Sequence, residues 1–147
     1  MQIKTKAKGN VEVSEDQLLK IPAGLIGFEQ YTEFALIDSS SKPFVWLQST
    51  EDSNLAFLLI DPFLVCQEYE TDIDDKELLK VGITEAAQVL VLTTVTIPND
   101  GGPVTTNLLG PIIINKKNRK AMQVVLNENR WTTKFNILEA LKKEEGK

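Results

Sequence analysis

Asp72, Asp74 and Asp75 are spaced in a way that could bind a metal ion. Calcium loops use oxygen ligands at alternating positions, but an EF-hand loop also needs a glycine at its sixth position and a glutamate at its twelfth. Counted from Asp72, those positions hold Glu77 and Ile83, so the calcium motif fails. The aspartates instead favour a short helix over Asp72–Leu79, because carboxylates near a helix N-terminus accept hydrogen bonds from free N–H groups.

Nucleophilic and histidine-dependent chemistry has little support in this chain. The sequence contains no histidine, which removes the commonest general base and the commonest metal ligand. Catalytic sites of the Ser-His-Asp and Cys-His types and zinc-histidine sites are therefore excluded. Cys66 is the only cysteine and follows an apolar run, so we expect a packed thiol and no intramolecular disulfide.

Two weaker chemical patterns remain. The stretch Asn99–Gly102 lacks the Gly-Lys-Ser/Thr ending of a phosphate-binding loop, which favours a surface turn. An enzyme that uses carboxylates such as Asp61 and Glu29, or a domain that binds a small ligand, stays open as an alternative function. Either one requires those side chains to meet in one deep polar pocket. We expect no cofactor and no metal.

Composition indicates a globular domain, and the charge bears on what such a domain could bind. The 147 residues suit one domain, 1–147, and their net charge is −5. An acidic chain is poorly suited to nucleic acid, since phosphate binding depends on Lys and Arg. The charge favours a basic partner, although it could serve solubility alone. Without a secretory signal or an apolar run long enough to span a membrane, a cytoplasmic location is expected.

The elements that must position any site are mostly strands. Alternating and β-branched residues predict an all-β fold, a partly open antiparallel β-barrel or roll with one or two short helices. A hairpin is expected to join Ile3–Lys6 to Val11–Val13 through a turn at Gly9 and Asn10. The helical composition of 136–147 favours a helical or frayed tail. The other predicted strands are Gln17–Ile21, Phe34–Ile37, Phe44–Gln48, Phe57–Ile60, Val89–Ile97, Ile112–Ile114 and Met122–Leu126.

Five residues are candidates for contact with a partner. Phe44, Trp46 and Gln48 share one face of a predicted strand, where aromatic and amide groups suit a protein interface. The same face could equally belong to the core. Asn107 could bind a partner peptide or order its own loop, and the neighbouring Leu108 is a candidate lining residue of an apolar groove.

Ordered motifs give the chain a resemblance to a known family. Ile21–Glu29 contains Gly24 and Gly27, which indicate tight backbone turns. Together with the other motifs, this segment resembles the bacterial flagellar assembly factor family FliW over roughly residues 1 to 130. The other motifs are Pro43–Ser49, Phe57–Phe63, Thr106–Leu108, Pro111–Asn115 and Gln123–Leu126.

This resemblance implies a cytoplasmic, non-enzymatic regulator with two alternating partners. One is the C-terminal region of newly made flagellin. The other is CsrA, a basic RNA-binding dimer that represses flagellin translation. CsrA releases the flagellin messenger RNA when the regulator binds it. No direct contact with nucleic acid or membrane is implied. The chain departs from the family at Gly110, where alanine is common, and at the Trp131–Phe135 end.

Overall fold

The computed structural model describes residues 1–126 and 129–140. Within these residues the strands form a two-stranded and a nine-stranded antiparallel sheet. One short helix, α1, spans Asp75–Leu79, and residues 137–140 are also helical. The strands are β1 Gln2–Thr5, β2 Gly9–Glu12, β3 Leu18–Lys20, β4 Glu33–Asp38, β5 Val45–Ser49, β6 Ala56–Ile60, β7 Val89–Thr96, β8 Thr105–Thr106, β9 Ile112–Asn115, β10 Ala121–Gln123 and β11 Phe135–Asn136.

Strand β7 organises the larger sheet, whose main order is β10-β9-β7-β6-β5-β4-β3. The first half of β7 pairs with β9, and its second half pairs with β6 and β8. The two ends of this order approach each other at a single bridge, where Lys20 N–H donates to the Arg119 carbonyl at 3.0 Å. The described strands therefore form a curved roll that does not close into a barrel.

Both faces of the β7–β9 pair are covered, which explains why their sequences are continuously apolar. Leu92 and Ile112 face the main core together with Phe34, Leu47 and Leu59. Their neighbours Val91 and Ile113 face the opposite way, into a second core that is closed by the segment preceding β7. Alternate side chains of a strand point to opposite faces, so this one strand pair separates the two cores.

Most strand predictions are confirmed, with local differences. The hairpin turn lies at residues 6–8, because Gly9 and Asn10 pair with Thr5 and Lys4 inside the ladder. The Thr5 hydroxyl accepts from Lys8 N–H at 2.9 Å and so holds this earlier turn. The last predicted strand keeps only its first part as β10, although Val124 and Leu126 still donate to the 109–111 segment.

Helix α1 begins at Asp75, three residues after the predicted start at Asp72. Ile73 packs against the second core and keeps the chain extended up to Asp74. Asp74 occupies the position that precedes the helix, but its side chain makes no capping hydrogen bond, so the predicted capping role is wrong there. Helical residues 137–140 begin the predicted tail, and 141–147 lie outside the described residues. Within the described ranges, no helix has both the length and the apolar character required to cross a membrane.

Candidate partner-binding surfaces

Two of the five predicted contact residues share one shallow groove, which we call the aromatic groove. Phe44 and Trp46 line it, half-buried, together with Leu58, Ile97 and Leu138. Trp46 lies in β5 between Ile37 and Leu58, whereas Phe44 lies just outside the strand. These aromatic side chains therefore retain surface that a partner can contact.

Gln48 is buried and holds parts of the fold together, in contrast to Phe44 and Trp46. Its side chain is 1% exposed. The amide oxygen accepts from Lys6 N–H at 2.9 Å, and the amide nitrogen donates to the Ser49 and Leu55 carbonyls at 3.0 and 3.1 Å. Gln48 thus ties the β1–β2 hairpin to the loop after β5, and it offers almost no surface in this conformation.

Asn107 and Leu108 have different surroundings although they are adjacent. The Asn107 side-chain oxygen accepts from the N–H groups of Leu109 and Gly110, both at 3.0 Å, so it orders its own loop. Leu108 is fully buried in the second core. Only Asn107 of this pair lines an open cavity, and it does so from inside a rigid turn.

Gln123 joins the two segments that carry most of the sequence signature. Its side-chain oxygen accepts from Ile26 N–H at 2.9 Å, and its side-chain nitrogen donates to the Gly110 carbonyl at 3.0 Å. These residues surround what we call the neutral cavity, of about 450 Å³, which is also lined by Asn107, Phe57 and Val125. Ile26 and Val125 are 60% and 56% exposed, so the cavity has an apolar rim. None of its described lining residues carries a charge.

Gly24 gives the rim of the neutral cavity its shape. Its φ is +71°, and a Cβ atom placed there would lie 2.4 Å from the Cα of Glu29. Gly27 also has a positive φ, of +89°, but a Cβ there would meet open space. The turn therefore requires glycine at position 24 for two reasons, since side chains disfavour positive φ and the backbone of Glu29 occupies the space.

The largest of these three cavities lies on the face of β7 and β9 that carries the second core. This cavity, of about 690 Å³, has Val91 and Ile113 in its floor and Ile73, Leu78 and Ile83 in its walls. Leu79 and Phe63 stand at the rim, 58% and 43% exposed. Asp75 and Glu85 are its charged lining residues, and we call it the acidic cavity.

Tyr69 fixes the segment that closes the acidic cavity against the sheet. Its hydroxyl donates to the Leu108 carbonyl at 2.6 Å in a buried hydrogen bond. The ring contacts Trp131 edge-on at 4.9 Å and Phe63 at 5.7 Å, both between centroids. Burial raises the pKa of Tyr69, with a smaller contribution from Cys66, so the hydroxyl remains a donor at physiological pH.

A dense group of carboxylates lies beside the acidic cavity. Residues 67–80, which we call the acidic segment, contain six carboxylates and two lysines. Glu77 pairs with Lys80 at 2.9 Å, and Glu70 pairs with Arg130 at 3.6 Å. The remaining acidic side chains of this segment form no ion pair within the described ranges: Glu68, Asp72, Asp74 and Asp75.

The carboxylates named for an enzyme do not converge. Asp61 accepts from Phe63 N–H at 2.9 Å, and Glu29 accepts from Gly27 N–H at 3.1 Å. The latter bond lowers the pKa of Glu29, which is opposite to what a general acid requires. Neither residue lines one of the three cavities, and the described part of the chain contains no cluster suited to a metal ion.

Comparison with known proteins decides the family. The family described as FliW protein matches residues 2–137, which is nearly the whole described fold. The chain belongs to the FliW family. Flagellar assembly factor FliW of Treponema denticola is 50% identical over 141 residues, which cover 96% of each chain. The corresponding factor of Treponema pallidum is 49% identical over 138 residues, covering 94% of this chain and 92% of that relative.

A solved FliW structure confirms the architecture. The crystal structure of a flagellar assembly factor FliW matches with a TM-score of 0.85 at 33% identity, covering 93% of this chain and 96% of that one. The predicted antiparallel all-β fold is therefore confirmed. The FliW relatives bear the name of an assembly factor, which describes a role other than catalysis.

Sequence reasoning missed the residues that join this FliW fold together. Gln123 entered only as part of a motif, and Tyr69 had no assigned role, because long-range hydrogen bonds leave no periodic signal. The acidic segment did leave a signal in its density of carboxylates, but the pattern was attributed to helix capping alone.

Proposed function

We propose that this flagellar assembly factor alternates in the cytoplasm between two protein partners, CsrA and the C-terminal region of flagellin. The supporting observation is that the acidic cavity and the neutral cavity share no lining residue and differ in charge. Each has exposed apolar side chains at its rim. Two such surfaces suit two partners of different chemistry. Because they do not overlap, alternation requires coupling between the cavities, and the Tyr69–Leu108 hydrogen bond beside Asn107 is the connection that we propose for it.

The amount of flagellin in the cell determines which of the two partners this protein binds. While flagellin occupies the protein, CsrA stays free and represses flagellin translation. Export of flagellin frees the protein, which then binds CsrA and makes it release the message. Translation of flagellin then resumes and continues until newly made flagellin binds the protein and CsrA is released.

The neutral cavity is our proposed site for flagellin. Ile26 and Val125 offer apolar contacts, while Asn107 and Gln123 offer amide groups at the same surface. An amphipathic helix or extended segment that docks in a groove uses this combination. The aromatic groove with Phe44 and Trp46 is the alternative flagellin surface, and it also has the apolar side chains of Leu58, Ile97 and Leu138.

Titration of the full chain with each purified partner tests the proposed function. We expect a stable complex with CsrA, and a second with flagellin, that cannot both be saturated: added flagellin should release CsrA. Calorimetry measures each affinity, and a native gel separates the complexes. Failure of both partners to bind would contradict the proposal, as would a stable ternary complex that keeps CsrA fully bound.

A further inference from the structure

The acidic cavity combines negative charge with an exposed apolar rim. Leu79 belongs to the five-residue helix α1, and more than half of its surface is exposed although it borders the cavity. Asp75 in the same helix and Glu85 shortly before β7 are both exposed and also line the cavity. Apolar and acidic groups thus face the same opening.

The floor of this cavity is fixed before any partner arrives. Val91 and Ile113 are paired across β7 and β9, and both are buried. The acidic segment is held to the same sheet through the Tyr69–Leu108 hydrogen bond, and Val81 O accepts from the Asn115 and Asn118 side chains at 2.9 and 3.1 Å. A preformed site requires little ordering on binding.

We propose that the acidic cavity is the docking site of CsrA and that it receives from this partner a protruding aliphatic side chain flanked by lysine or arginine. This inference rests on the proposed function and assigns its basic partner to one face. The aliphatic side chain packs between Leu79, Phe63 and the floor. The flanking cations pair with Asp75 and Glu85.

Charge selects this occupant over the other candidates. An uncharged partner segment would remove water from the carboxylates of Asp75 and Glu85 without supplying a cation in its place. Such desolvation of a charged group is unfavourable. Nucleic acid would be repelled by the four acidic side chains of the acidic segment that form no described ion pair. A cationic protein surface satisfies both the apolar and the acidic groups.

Substitutions at the cavity, assayed with purified CsrA, test this assignment. We expect the double variant Asp75→Lys/Glu85→Lys to bind CsrA at least tenfold more weakly than the parent chain. Asp75→Asn/Glu85→Gln keeps the shape of both side chains and should weaken binding by a smaller factor. Leu79→Ala removes an exposed contact and should weaken CsrA binding several-fold at every salt concentration.

A matched control changes the same net charge elsewhere. Glu15 and Glu139 are exposed and line none of the three cavities, so Glu15→Lys/Glu139→Lys should keep CsrA affinity within about twofold, apart from long-range attraction. Circular dichroism checks that every variant is folded. CsrA affinity unchanged in both cavity double variants, or reduced equally by the control, overturns the inference. Loss of flagellin binding with CsrA binding retained also overturns it, while the proposed function survives.

Discussion

The acidic cavity and the neutral cavity are both open, apolar and adjacent to strand β7, yet they are built in different ways. The acidic cavity owes its chemistry to exposed side chains such as Asp75 and Leu79, which make few contacts with the rest of the fold. The neutral cavity owes its shape to the Gly24 turn and to the Gln123 hydrogen bonds.

Because of this difference, substitutions at the acidic cavity should change mainly the affinity for a partner, and substitutions at the neutral cavity should change mainly the stability of the fold. Charges around the acidic cavity can change without disturbing the core, because their side chains are exposed. Changes at the neutral cavity disturb backbone geometry and therefore the fold. Substitutions at the two places should accordingly produce different ratios of lost affinity to lost stability.

The largest expected effect is at Gly24. Gly24→Ala places a Cβ atom against the backbone of Glu29 at a positive φ, and we expect it to lower the free energy of unfolding by about 3 kcal/mol. Gly27→Ala meets no neighbour and should cost only about 1 kcal/mol. Urea unfolding of both variants measures the difference. Equal losses would show that steric fit at Gly24 does not shape the neutral cavity.

Removal of the Tyr69 hydroxyl should have the next largest effect. Tyr69→Phe leaves the buried Leu108 carbonyl without this donor, which should cost about 1.5 kcal/mol. Tyr31→Phe is the control, since the Tyr31 hydroxyl makes no hydrogen bond among the described residues. Because Leu108 lies between Asn107 and Leu109, hydrogen exchange should rise beside both cavities. Exchange confined to the acidic segment would indicate that the cavities are independent.

Gln123→Met should affect the neutral cavity alone. The variant keeps the length of the side chain but loses its bonds to Ile26 and Gly110, at a cost of about 1 kcal/mol for this half-buried group. Amide exchange at Ile26 should become faster, while exchange at Ile83 beside the acidic cavity stays unchanged. Unaltered exchange at Ile26 would show that Gln123 does not hold the two signature segments together.

Acid should loosen the loop that carries Ile26, with the smallest effect of this series. The Glu51 carboxylate accepts from Glu33 and Thr32 N–H at 2.9 and 2.8 Å, and these bonds lower its pKa below the ordinary 4.5. A lowered pKa stabilises the fold above that ordinary value, and this contribution disappears as the pH falls through the folded-state pKa.

Comparison with Glu51→Gln isolates this pH effect. The parent chain should be more stable than the variant at pH 6, and the difference should shrink as the pH falls below 4.5, the ordinary glutamate value. Thermal unfolding at several pH values measures it. A stability difference that is constant across this range would rule out the proposed role of the Glu51 carboxylate.

The sequence predicted the fold better than the surfaces. β-branched runs such as Val89–Ile97 identify buried strands because their periodicity is local. The burial of Gln48 and Leu108 depends instead on residues distant in sequence, such as Lys6 and Tyr69. Polar type and strand position alone do not distinguish a buried amide from one that contacts a partner.

The candidate site was predictable in part. Two of the five named residues, Phe44 and Trp46, do share a groove, although Phe44 precedes β5 and only Trp46 belongs to the strand. The acidic cavity was not foreseen, since it needs α1 to pack over β7 and β9. Its chemistry was nevertheless visible as the carboxylates of residues 67–80.

The division between a charged and an uncharged docking surface is tested most directly by the salt dependence of binding. Calorimetric affinities of the unmodified chain for CsrA and for the flagellin C-terminal region should be measured between 50 and 500 mM salt. We predict that CsrA affinity falls by about tenfold or more across this range, while flagellin affinity changes by less than about threefold. Equal salt dependence for the two partners would contradict the assignment of each partner to a cavity of different charge.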